Sequence, residues 1–213
     1  MLKDIPFYPN TPDDTHCFQA SLRMILKYFF PEREFTWEDL EKITAKKQNL
    51  WTWQLAGILW MQANGFEVRN KEVFDYEKFI QHGGKYLLEE FGKEVGGAQI
   101  QYSDIDQEQR LSKAFVRLVQ TEKSVPTTCD IKELWQKGFL MIINLNSKIL
   151  SEKSGYAGHS VVITGFEGNF IFLHDPGLPP QPNRKIALDT FEKAWAYPHE
   201  KAKTLIAFRL KNL

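Results

Sequence analysis

Gly158-His159-Ser160-Val161-Val162-Ile163-Thr164-Gly165-Phe166, followed beyond Glu167-Gly168-Asn169 by Phe170-Ile171-Phe172-Leu173-His174-Asp175-Pro176-Gly177, is the stretch from which the fold is read. Its β-branched and apolar content predicts two buried strands, over 159–166 and 169–174, joined by a tight turn. With Glu167-Gly168-Asn169 as a three-residue loop, Phe166 pairs with Phe170 and Asp175 lies opposite Val161. His159 and Val161 are two apart and share a face, so Asp175 becomes the diagonal neighbour of His159. A two-residue Gly168-Asn169 turn inverts that parity unless a bulge restores it.

Working outward, Phe139 to Asn146 and Thr204 to Leu210 read as further buried strands by the same criterion. The chain before Pro126 has helical character instead. Phe18, Leu22, Ile25, Leu26 and Phe29 mark one helix from Cys17 to Phe30, and Thr36-Trp37-Glu38-Asp39 resembles a helix start. Trp53 to Asn64, closed by Gly65, Tyr76 to Phe91, and Asp104 to Gln120 are also expected helical. Helices first and strands later predict an α+β fold, a helical lobe (about 1–125) against a mostly antiparallel β lobe (about 126–213), within a single domain.

Composition narrows the function classes. The 213 residues carry 27 Lys+Arg against 27 Asp+Glu, interspersed, so no phosphate-tracking surface and no nucleic-acid partner is expected. No apolar run approaches the roughly 18 residues that span a bilayer, and the N-terminal residues lack a signal-peptide pattern. Cys17 and Cys129 are the only cysteines, too few for a disulfide scaffold. A cytoplasmic setting without membrane association is the expectation.

Cys17 opens the first strong helix, just after the potential capping residues Asp13, Asp14 and Thr15. The positive end of a helix dipole favours a thiolate there. At 100° per residue, Leu22, Ile25, Leu26 and Phe29 fill one sector and Gln19, Arg23 and Lys27 a second. Cys17 falls on a third sector with Ala20, Ser21, Met24 and Tyr28. A helix with two non-polar faces is sandwiched, which points Cys17 into a joint between lobes. Taken singly, Cys17 reads as a buried structural cysteine, His159 as a strand-end histidine and Asp175 as a turn residue before Pro176. Taken together they form a nucleophile, a base and an orienting carboxylate.

In that order the chain resembles the papain-like cysteine peptidases of the bacteriocin-leader-processing (double-glycine peptidase) type and their soluble stand-alone relatives. The resemblance lies in Pro6-Phe7-Tyr8-Pro9-Asn10, the block from Cys17 to Ile25, Asn64-Gly65-Phe66-Glu67-Val68, Gly158 to Ile163, and Asp175-Pro176. It implies a papain-like fold and a Cys17–His159–Asp175 triad acting through a thioester on a peptide or other amide. No cofactor and no metal are implied. Two positions depart from the family pattern. His16-Cys17-Phe18 replaces the usual Asp-Cys-Gly, and the Gln five or six residues before the nucleophile is absent. Asn10 is the nearest amide in the matching context and is the expected oxyanion donor; Gln19 is turned about 200° from Cys17. Trp53 and Tyr156 are expected to line the substrate cleft. An acyltransferase with the same triad and an inactive peptide-binding module are the alternatives. A metal site from His16, Cys17, His159, His174 and Asp175 is disfavoured by the absence of CxxC or HExxH spacing.

Overall fold

The structure is a computed structural model that describes residues 2–211. The apolar stripe read from Phe18 to Phe29 forms α1 (Cys17–Phe29), with Phe18, Leu22, Ile25 and Leu26 buried. A capping box between Thr36 and Asp39 starts α2 (Trp37–Thr44), and α3 (Leu55–Ala63) leads through Gly65 into β1 (Phe66–Lys71). The helix expected over 76–91 is broken. Gly83, at φ +51° and ψ −125°, separates α4 (Tyr76–His82) from α5 (Gly84–Tyr102). That backbone is open to glycine, and helical continuity is lost there. Next come α6 (Ile105–Leu118), the two-residue β2 (Thr121–Glu122) and α7 (Thr128–Gln136), which starts at a second capping box, Thr127 with Asp130.

The remaining elements are β3 (Leu140–Asn146), α8 (Ser147–Leu150), β4 (Gly158–Glu167), β5 (Phe170–Asp175), β6 (Gln181–Ala187), α9 (Leu188–Trp195) and β7 (Leu205–Leu210). One seven-stranded sheet runs β2-β1-β7-β3-β4-β5-β6, antiparallel except for β1 with β2. The fold is thus α+β, as expected. Strands β1 and β2 precede residue 126 and still join the sheet, so the division at about 125 does not separate helices from strands.

The apolar run Leu140-Met141-Ile142-Ile143 that opens β3 has a direct cause. Leu140 and Ile142 face a core built with Phe18, Leu22 and Ile25 of α1, whereas Met141, Ile143 and Leu145 face one built with Phe191, Ala194 and Trp195 of α9. The strand is covered by helices on both sides, so both parities are apolar from Leu140 to Ile143.

The β4–β5 hairpin departs from the three-residue loop. Glu167 pairs with Phe170 across a Gly168-Asn169 turn, with Gly168 at φ +56°. Ile163 then faces Leu173 but Gly165 faces Phe172, leaving Thr164 as a bulge. The bulge restores the parity that the shorter turn inverts, and Val162 stands opposite His174. Asp175 therefore falls beside Val161, on the face of His159. The N-terminal segment matches the bulge: the Lys3 N–H donates to the Thr164 carbonyl, and Leu2 bridges to Gly165.

Candidate active site

Cys17 is the first residue of α1, after His16 at its N-cap. No side chain caps this helix, contrary to the role expected of residues 13–15. The first-turn N–H groups consequently have no use within the helix and face whatever occupies its N-terminus. α1 is seated on β4, where the Ser21 hydroxyl donates to the Ser160 carbonyl at 3.2 Å. That seating brings Cys17 against the mouth of β4. There the His159 side chain and the backbone N–H of Ser160 act on the thiol, both favouring its ionised form.

The His159 Nε2 and Asp175 Oδ1 lie 2.7 Å apart. Nε2 is engaged by the carboxylate, so Nδ1 is the ring nitrogen left for the sulfur. Asp175 is held from two further sides. Gly177 N–H donates to Oδ1 at 3.0 Å, and Arg184 Nη1 donates to Oδ2 at 2.8 Å. The other Arg184 nitrogen, Nη2, donates to the Leu150 carbonyl, which fixes the guanidinium plane. Gly177 packs so closely that a Cβ there would lie 3.0 Å from Asp175 Oδ1 and 3.3 Å from the His159 ring.

The electrostatics follow from this chain of contacts. Burial opposes ionisation of Cys17, but the hydrogen bond and charge of His159, with the Ser160 N–H, bring the thiol below its ordinary value. Burial likewise disfavours the imidazolium, and Asp175 and Cys17 reverse that, raising His159 to about 10. Asp175 is buried as well, yet His159, Arg184 and Gly177 lower it to about 2. Each of the three groups is thus shifted toward its charged form, thiolate, imidazolium or carboxylate.

Cys17 and His159 line a cavity of about 310 Å³ between α5 and the segment 51–54 on one side and the segments 144–160 and 195–202 on the other. Trp53 and Tyr156 both stand in its wall. Asn10 does not. It is buried below the loop 10–16, its Nδ2 donating to Asp14 Oδ1 at 2.7 Å and its Oδ1 accepting from the N–H groups of His16 and Thr11. Its own N–H donates to the Pro176 carbonyl at 2.8 Å. Every polar atom of this side chain is engaged in folding the loop, so the oxyanion role expected of Asn10 is corrected to a scaffolding one. Gln19 reaches the cavity, but its Nε2 donates to Thr44 and Thr52.

The other histidines named above lie elsewhere in the hydrogen-bond pattern. His16 bridges Thr11 and Glu41, and His174 donates from Nε2 to the Ile5 carbonyl while its Nδ1 accepts from Asn183 N–H. Among the described residues, no group of three or more His, Cys, Asp or Glu side chains is arranged to hold a metal ion. Nor is any helix there long and apolar enough to cross a membrane. Sequence reasoning missed Arg184 entirely. It sits in Gln181-Pro182-Asn183-Arg184-Lys185, a polar edge strand with no apolar alternation to announce it.

No curated protein sequence matches the chain significantly. Among solved structures, a double-glycine-motif protease from an AMS/PCAT transporter, crystallised with its leader peptide, superposes with a TM-score of 0.50 at 15% identity, covering 99% of this chain and 94% of that one. The peptidase domain of Streptococcus ComA, a bifunctional ABC transporter of a quorum-sensing pathway, gives 0.51 at 12% identity, covering 96% and 98%. At these identities the likeness is one of fold. A family model described as the Peptidase_C39 like family matches residues 2–203. The chain belongs to the C39-like cysteine peptidase family.

Proposed function

We propose that the protein cleaves amide bonds with Cys17 as nucleophile, His159 as proton carrier and Asp175 as the carboxylate that holds the imidazole. The observation that carries this reading is the continuous thiol–imidazole–carboxylate relay at the edge of a cavity, with Asp175 itself fixed by Arg184 and Gly177. The Cys17 thiolate attacks the amide carbonyl, and the oxyanion faces the N–H groups at the start of α1. His159 then gives its Nδ1 proton to the departing amine as the C–N bond breaks, leaving a thioester on Cys17. A water molecule, deprotonated by His159, attacks that thioester and releases the acid and the thiol. The leader peptide bound by the double-glycine-motif protease supports a peptide as the amide-bearing substrate.

The test sets Cys17 against Cys129. Cys129 is exposed and Cys17 only partly so. Accessibility alone favours labelling of Cys129, whereas a thiolate held by His159 favours Cys17. Iodoacetamide at pH 5.5 is expected to modify Cys17 first, and His159→Gln to abolish that preference. Preference for Cys129 in the parent protein would overturn the assignment. A second reading, a peptide-binding module without turnover, draws on the engagement of Asn10, which leaves the oxyanion without a side-chain amide from that position. Peptide retention without hydrolysis, alongside a reactive Cys17, would favour it.

A further inference from the structure

The cavity beside Cys17 is built from rings. Trp53 stacks on Phe79 at 5.0 Å between centroids, Tyr156 stacks on Tyr197 at 5.9 Å, and Phe74 lies parallel to Phe91 at 6.1 Å. Trp53, Phe74, Phe91, Tyr156 and Tyr197 all contribute to its lining. Its volume of about 310 Å³ corresponds to roughly ten water molecules and falls in the range of a small-ligand site. A slot shaped for glycine needs no such space.

Several polar groups of the wall already have partners, the buried Gln19 Oε1 being an exception. Gln99 of α5 receives the Trp53 indole N–H on Oε1 at 2.8 Å and donates from Nε2 to the Tyr156 hydroxyl at 3.1 Å. The Ser160 hydroxyl donates to Asn144 Oδ1, and Thr52 accepts from Gln19. Asp14, the carboxylate in the lining, accepts from Asn10. Away from Asp14 and the Cys17–His159 pair the wall holds no charged side chain, so a charged guest there would lose its hydration without gaining a counter-charge. A planar apolar guest would meet ring faces and edges in the geometry that aromatic pairs prefer. The cavity is also preformed. Tyr156 is tied to Gln99, Tyr197 to Glu94, and His199 Nε2 to the Glu90 carbonyl at 2.9 Å, so three bonds fasten the β side to α5.

We infer that this cavity is a recognition pocket for an uncharged aromatic side chain next to the scissile amide, a substrate class distinct from one defined by paired glycines. The inference rests on the proposed hydrolase reading for the word scissile, and its test is arranged to survive the failure of that reading. Cys17→Ala protein, which cannot turn over, is titrated with N-acetyl-phenylalaninamide, N-acetyl-leucinamide, N-acetyl-glycylglycinamide and N-acetyl-lysinamide. Binding is followed by the fluorescence of the cavity tryptophans and by calorimetry. The phenylalanine amide is expected to bind at least tenfold more tightly than the glycylglycine and lysine amides, and more tightly than the leucine amide. Phe91→Arg in the same background is expected to remove that binding, and Phe91→Leu to weaken it severalfold. Equal or tighter binding of the glycylglycine or lysine amide would overturn the inference, as would undiminished phenylalanine binding in a folded Phe91→Arg protein. Should Phe91→Arg fail to fold, the ranking of the four amides and the Phe91→Leu response decide. If Cys17 proves unreactive while the ranking holds, the hydrolase reading fails and the pocket stands.

Discussion

Replacing Asp175 by Asn removes one negative charge and little volume from the centre of the relay. His159 stands at about 10 instead of 6.5. That difference is worth roughly 5 kcal/mol in favour of the imidazolium at about 1.4 kcal/mol per pH unit. Burial works against the charge, so Asp175 and Cys17 supply all of it. A hydrogen bond to a charged group contributes about 1.5–3 kcal/mol, so losing the carboxylate brings His159 down by roughly one to two pH units. The sign follows from the states involved. The substitution raises both forms that contain imidazolium by the same amount. Loss of the His159 proton therefore becomes easier, whereas ionisation of Cys17 beside an existing imidazolium is unchanged. The alkaline limb of turnover is expected to move from near pH 10 to between pH 8 and 9, and the acid limb to hold. NMR titration of the His159 ring measures the same quantity without a substrate. Arg184 loses its anion in this variant, so near-UV circular dichroism must first establish native packing. A natively folded Asp175→Asn protein whose His159 still titrates near 10 would refute the reasoning and reduce Asp175 to a turn residue.

Gly177→Ala places a Cβ about 3.0 Å from Asp175 Oδ1 and 3.3 Å from the His159 ring, and neither neighbour is free to retreat. Turnover should fall at least tenfold with melting temperature changed by only a few degrees; unchanged kcat/KM would mean that the relay tolerates displacement. Asn10→Ala leaves several buried loop groups unpaired and should cost about 1–3 kcal/mol in denaturant unfolding, with activity of the folded fraction retained. A 10²–10³-fold loss of turnover at native stability would instead restore Asn10 as an oxyanion donor. Glu108 is raised by burial and by the charge of Asp104 to about 8, while accepting the Trp53 backbone N–H. A folded-state value above the unfolded one makes its contribution full below about pH 4.5 and lost as pH rises through 8. Glu108→Gln should therefore gain stability over the parent between pH 5 and pH 8, by up to roughly 4–5 kcal/mol, and a pH-independent difference in urea unfolding would contradict this.

The residues of the relay were legible because each lies where local rules are strong. Cys17 opens an amphipathic helix, and His159 and Asp175 flank a hairpin whose strands announce themselves by unbroken apolar runs. The hairpin register was not. The sequence contains Gly168-Asn169, but whether the turn takes two or three residues depends on the Thr164 bulge, and that bulge is matched by the N-terminal segment more than 150 residues away. Strands β1 and β6 escaped notice because edge or half-polar strands lack the alternation that periodicity detects; they exist because the sheet offers them partners. The same holds for function. Cys17, His159 and Asp175 name a chemistry from their types alone. That Arg184 holds the carboxylate, that Asn10 is engaged in the loop, and that aromatic rings from five separate segments enclose one cavity are decided by long-range packing, which local sequence does not encode.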